Sequence, residues 1–420
     1  MTFAEKTLDL IDKGQIDEAH KAFICSLNND NDDMIYSLAE ELYSLGFTNM
    51  AKQAYEKLLN LYPDADEFRT SLADIAISEG NDDQALEYLS AIKPDSDAYL
   101  ESLLVAADLY QTQGIFDVSE QKLLKAYQLA PDEPVIQFAL AELYYDIKKY
   151  REAINFYIKL IKEGITELSQ VNLVQRIGIS YAEIGKFEQA LGYLEQIHPE
   201  DMDDDTRFQF AFTHMKLKHY EKALKEFEKL KETSPDYATV YPAIAEIYEQ
   251  QGKLKEALIS LQEGMSVDEF NLQLYFKSAL IAEKLGDNEL AEKYLIIAIQ
   301  QDPENATIIS ELSRLLILEK KHEENIQLLD SYLKDNQVDP LFYWLRGKSY
   351  AALENYAKAI DDYKAAMKDL MSSAEFLRDA AQFFREAGLR DLALNCVNEY
   401  LKIEHNDVEM AELQEDLLDY

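Results

Sequence analysis

Residues 220–235 read YEKALKEFEKLKETSP, and their spacing decides the fold. Tyr220, Ala223, Phe227 and Leu230 lie three, four and three residues apart, which places them on one side of an α-helix. Ser234-Pro235 ends that helix, because the residue before a proline is pushed out of helical conformation. An alanine between two rings on the apolar side marks a place where a second helix comes close.

The same alanine returns along the chain. It stands at Ala19, Ala51, Ala85, Ala153, Ala190, Ala223, Ala257, Ala291, Ala359 and Ala393, with Ser119 and Asn325 completing the series. Eleven successive steps of 32 to 37 residues, eight of them 34, mark a helical repeat array of twelve units. Twelve residues before most anchors stands another small residue, among them Ala73, Ala141, Gly178, Ala245, Gly347 and Ala381. Four residues after each anchor comes a ring or an aliphatic, such as Phe23, Tyr157, Phe227 and Tyr363. Five residues before, a glycine often ends the first helix in left-handed conformation, as at Gly46, Gly185 and Gly286. Each unit is therefore helix A, a tight turn, helix B, and a proline or acidic stop. Repeat 1 carries Thr7 at the helix A small-residue position, and repeat 10 carries Asn325 as its anchor.

This pattern resembles the tetratricopeptide repeat family. GKFEQALGYLEQIHP (185–199) and RGKSYAALENYAKAIDDYKAA (346–366) are its clearest copies, and the resemblance covers residues 1–406. It implies an all-α, right-handed α-solenoid of twelve helical hairpins and a function in binding. The 37-residue step from Ala153 to Ala190 holds KEGITELSQVN (162–172), read as a longer loop at a soft boundary. The expected segments are 1–164 (repeats 1–5), 165–406 (repeats 6–12) and a solvating cap helix over 407–420.

Composition excludes several classes. The 420 residues carry 41 basic and 80 acidic side chains, a formal net charge of −39. Residues 1–200 hold 16 of the basic and 36 of the acidic ones, so the acidity is general. Nucleic acid and anionic membrane surfaces share that sign, so neither is an expected partner. The longest apolar run, YLIIAI (294–299), is far short of a membrane span. MTFAEKTLDLIDKG does not read as a signal peptide, and two distant cysteines, Cys25 and Cys396, fit a reducing compartment, so the cytoplasm is expected.

No catalytic, cofactor or metal residues are expected. RGKS (346–349) lacks the upstream glycine of a phosphate loop, Phe342 standing in its place. NNDNDD (28–33) and EDMDDD (200–205) lack the spacing of a calcium loop and read as helix caps.

The resemblance implies that helix A lines a concave groove. With the anchor numbered 20, positions 2, 5, 9 and 12 share one helix face. Position 9 runs Glu40, Asp74, Asp108, Glu142, then Ile179, Phe212, Glu246 and Leu280, then Arg314 and Lys348. Position 5 adds Tyr36, Phe138, Phe208, Phe276 and Trp344, and position 12 adds Tyr43 and Tyr145. The expectation is a protein or peptide segment, basic and apolar, on the N-terminal half, held by rings and steered by acids. Arg314, Lys348, Arg378 and Arg385 are expected to receive an acidic stretch or a C-terminal carboxylate. Carboxylate-clamping members of the family use Lys and Asn at positions 5 and 9. Tyr36 and Glu40 stand there, so a chaperone tail is not the expected partner. Two functions fit: an interaction scaffold, and a ligand-sensing regulator whose superhelix binds a short peptide. Co-purifying partners would separate them.

Overall fold

The structure, a computed structural model, describes residues 2–335 and 339–419. Among the described residues there are 25 α-helices and one two-stranded hairpin. The chain runs α1 (Phe3–Asp12), α2 (Ile16–Asn29), α3 (Asp32–Ser44), α4 (Thr48–Leu61), α5 (Asp66–Ser78), α6 (Asp82–Ala91), α7 (Tyr99–Thr112), α8 (Phe116–Leu129), α9 (Pro134–Asp146) and α10 (Tyr150–Lys162). After β1 (Glu167–Leu168) and β2 (Val171–Asn172) come α11 (Leu173–Glu183), α12 (Phe187–Leu194) and α13 (Asp204–Lys216). Then follow α14 (Tyr220–Thr233), α15 (Val240–Gln250), α16 (Leu254–Val267), α17 (Leu272–Lys284), α18 (Asn288–Gln301), α19 (Ala306–Leu318), α20 (His322–Asp335), α21 (Pro340–Ala352), α22 (Tyr356–Leu370), α23 (Ala374–Glu386), α24 (Arg390–Ile403) and α25 (Val408–Asp419). Odd helices up to α23 are the A helices and even ones the B helices, twelve pairs with α25 following.

The repeating small residues carry the packing. Ala51, Ala85, Ala153, Ala190, Ala223, Ala257, Ala291, Ala359 and Ala393 are fully buried. So are the rings Phe23, Tyr157 and Phe227, four residues beyond their anchors, which fill the space the small side chains leave. Thr7 is also buried, its hydroxyl donating to the Phe3 carbonyl at 2.8 Å. Four turns lack the glycine, yet Lys148, Lys218, Lys320 and Glu354 keep its left-handed backbone, with φ of 58 to 61°. The turn geometry is thus imposed by the flanking helices.

One expectation is corrected. KEGITELSQVN is not a plain loop, because β1 and β2 pair antiparallel, Glu167 opposite Asn172 and Leu168 opposite Val171. Ser169 and Gln170 join them with φ of 50° and 66°, the positive pair that a tight two-residue hairpin requires. At the 164/165 step α10 packs against α11, with Tyr157, Leu160, Leu173 and Ile177 all fully buried. The chain forms two compact units, one ending at Leu217 and the other beginning at Lys218. The cap is present, α25 burying Met410, Leu413 and Leu417 against the last repeat.

Candidate functional site

In the first unit, the A helices α3, α5 and α7 bring the expected acids together with two that the sequence reading passed over. Glu40 is exposed, and Asp74 accepts a hydrogen bond from the Tyr43 hydroxyl at 2.6 Å. Burial raises the Asp108 carboxyl above its ordinary range, with repulsion from Asp74 adding to it. Burial likewise raises Glu101, helped by Asp74, Glu67 and Glu40. These five carboxylates share one field, and among the described residues none of them has an ion pair with lysine or arginine.

Glu67 and Glu101 occupy position 2, seven residues before Asp74 and Asp108. Position 2 of the preceding repeat is Asp33, seven before Glu40. Seven residues are two helical turns, about 10 Å along the axis. Neighbouring packed helices stand about 8–10 Å apart. The result is a double row of carboxylates at roughly 10 Å intervals both along and across α3, α5 and α7. The missed signal was available, since positions 2 and 9 lie on one face.

Rings flank the acids. The half-buried Tyr36 ring lies 5.7 Å from Phe68 and 6.2 Å from Tyr55. Burial pushes its hydroxyl up to about 12, with the Glu40 carboxylate beside it adding to the shift. Burial also pushes Tyr55 up to about 12.

The fourth acid differs from the other three. Glu142 on α9 accepts from the Tyr157 hydroxyl and pairs with Arg176 at 2.9 Å. The Arg176 guanidinium also covers the Tyr145 ring at 4.2 Å, and Tyr150 meets that ring edge-on at 5.6 Å. Phe138 packs against the core of its repeat. The open acidic face therefore stops at Asp108. Beyond it, Phe208 and Phe212 stack on each other at 6.1 Å, and Lys216 lies 4.8 Å over Phe212.

In the second unit the expected basic receiver is largely occupied by the protein's own acids. Trp344 is buried, its indole N–H donating to Asp379 at 2.6 Å and its ring meeting Phe376 edge-on at 5.6 Å. It is therefore a packing residue, not a contact surface. Lys348 lies 3.4 Å from the same Asp379, and Arg314 3.9 Å from Glu375. Arg378 pairs with Asp407 at 3.5 Å and with Glu409, which ties α23 to the cap. Arg385 is exposed, and Phe276 is half-buried against its repeat's core.

Among the described residues no group of His, Cys, Asp and Glu can hold a metal ion, and no helix is long and apolar enough to cross a membrane. The two acidic clusters act as caps: Asn31 accepts from the Met34 N–H at 2.9 Å, and Asp203 from the Thr206 N–H at 2.8 Å.

Residues 111–165 match a family described as YpiA-like, tetratricopeptide repeats, and residues 340–407 match its C-terminal repeats. General tetratricopeptide repeat matches cover 36–99, 276–340 and 205–237. The TPR repeat-containing protein YpiA of Bacillus subtilis is 32% identical over 358 residues, 85% of this chain and 84% of that protein. A TPR repeat-containing protein of Methanocaldococcus jannaschii is 23% identical over 371 residues, 81% of this chain and 58% of that protein. Among solved structures, a chain of the APC/C hetero-tetramer Cut9-Hcn1 is 15% identical, with a TM-score of 0.38 over 98% of this chain and 95% of that one.

Proposed function

The chain belongs to the YpiA-like tetratricopeptide repeat family, whose repeats generally serve protein–protein interaction, and we propose that this member is a non-catalytic cytoplasmic scaffold that takes a basic segment of another protein across α3, α5 and α7. One observation carries the reading: Glu40, Glu67, Asp74, Glu101 and Asp108 repel one another, and among the described residues none of them is paired with a lysine or arginine. Folding alone gains nothing from that arrangement, whereas a cationic partner relieves it. The spacing sets the partner's pattern. A segment in polyproline II conformation advances about 9 Å per three-residue turn and returns to the same face, so lysine or arginine at every third position matches the rows. Tyr36 and Tyr43 supply contact area beside them.

The test uses fluorescein-labelled peptides on the intact chain, one with lysine at every third position and one with the same lysines contiguous. The spaced peptide binds more tightly. Glu40→Gln, Asp74→Asn and Asp108→Asn together weaken it about tenfold at low salt, at roughly 0.5 kcal/mol per lost pair, and less at high salt. Equal affinity of the native chain and the triple variant at low salt overturns the reading.

A further inference from the structure

At the N-terminal end of the acidic rows, α1 and α3 enclose a cleft of about 550 Å³. Its position is fixed locally: the Asp30 carboxylate accepts from the Phe3 and Ala4 backbone N–H groups at 3.4 and 2.7 Å, tying the start of α1 to the loop before α3. The floor is Leu38, which is buried, and the walls are Leu8, half-buried, and Met34, 37% exposed. At its rim stand the carboxylates of Asp33 and Glu41, with Glu5 engaged beside them, and among the described residues no lysine, arginine or histidine lines it. Glu5 also accepts from the Thr2 N–H at 2.9 Å as part of the α1 cap. Asp33 belongs to the position 2 row, so cleft and rows are continuous.

We propose that this cleft seats one large apolar side chain of the partner segment, a leucine or similar residue lying beside its run of cations. The proposal rests on the scaffold reading above and adds the residue that fixes register. Charge selects this occupant. An apolar side chain flanked by lysines satisfies floor and rim together, whereas an acidic or purely apolar segment desolvates the Asp33 and Glu41 carboxylates without a cation to pair them. A second copy of the chain is disfavoured for the same reason: it is itself strongly acidic, and its terminal helix α25 carries Glu409, Glu412, Glu415 and Asp416. One helix-to-helix step matches about one three-residue polyproline II turn, so the apolar residue falls about three positions outside the first cation.

Fluorescence anisotropy with the full chain tests this. The probes are labelled peptides with lysine at every third position, carrying leucine three residues beyond the run at either end, and their serine counterparts. One leucine peptide binds at least about tenfold more tightly than its serine counterpart, the gain expected from burying one such side chain. Met34→Glu, at an exposed wall position, brings that ratio close to one while the serine peptide still binds. No leucine advantage at either end, or an advantage that survives Met34→Glu, overturns the proposal. The variant neutral at Glu40, Asp74 and Asp108 separates the two readings. If it weakens both peptides alike and keeps their ratio, rows and cleft both stand. If it leaves both affinities unchanged and the ratio persists, the rows fail and the cleft stands.

Discussion

Gly347 shows how closely the side chains are fitted. It lies inside α21, where a Cβ would meet Tyr363 Cδ2 at 3.0 Å. That ring cannot give way easily, since its hydroxyl donates to Asp379 at 2.6 Å and its face stacks on Phe383 at 4.2 Å. Gly347→Ala is therefore expected to cost about 1–3 kcal/mol, although alanine favours the helix. Gly192 in α12 is the control: a Cβ there meets nothing within 4 Å, and Gly192→Ala should stabilise by roughly 0.5–1 kcal/mol. Urea unfolding midpoints of the two variants check both signs, and two shifts in the same direction refute the packing account. The need for a small residue at 347 was readable from the 34-residue series. The role of Trp344 was not, because its partner Asp379 lies 35 residues away, and only the stacking of α21 on α23 brings them together.

Among the helices, α25 is the one whose removal has a chemical readout. It buries Met410, Leu413 and Leu417, and Gln414 donates to Asn398 on α24 at 2.6 Å. Cys396 lies in the same core cluster, fully buried, its thiol pushed up to about 12 by burial, whereas Cys25 is exposed. A thiol reagent should therefore titrate one cysteine in the native chain and two once residues 406–420 are deleted and α24 frays. If the shortened chain still titrates one, α25 is not needed to close the last repeat. Helix placement was legible because small residues and rings recur at fixed offsets. The β1–β2 hairpin was not, since Ser-Gln carries none of the usual Asn-Gly signal for such a turn.

On the scale of the whole molecule, charge sets the response to solution conditions. Glu101 and Asp108 titrate higher in the fold than in the unfolded chain, so over that interval the native state holds more protons. Stability therefore falls as pH rises through the interval: their destabilising effect is absent below the ordinary carboxylate range and complete above the raised values. Glu101→Gln with Asp108→Asn should raise stability at neutral pH, by less than about 1 kcal/mol because both carboxylates are only partly desolvated and still reach solvent, and the gain should vanish on acidification. Unfolding midpoints measured across that range check the sign. A gain that grows toward acid would refute it. The acidic row was visible in the sequence as Glu40, Asp74 and Asp108. What pairing removes from it was not, because Arg176 reaches Glu142 from the next repeat.

The β1–β2 turn has a use outside biology. It interrupts the chain at an exposed place, between two helices whose facing side chains are fully buried. Cut between Ser169 and Gln170, the gene would encode one fragment ending in complete repeat 5 and another opening with complete repeat 6, presenting the matching faces of α10 and α11. Co-expressed with a tag on one fragment only, they should copurify as a split reporter half does with its complement. Fragments that elute separately would mean that covalent continuity, rather than the buried helix contact, joins repeats 5 and 6.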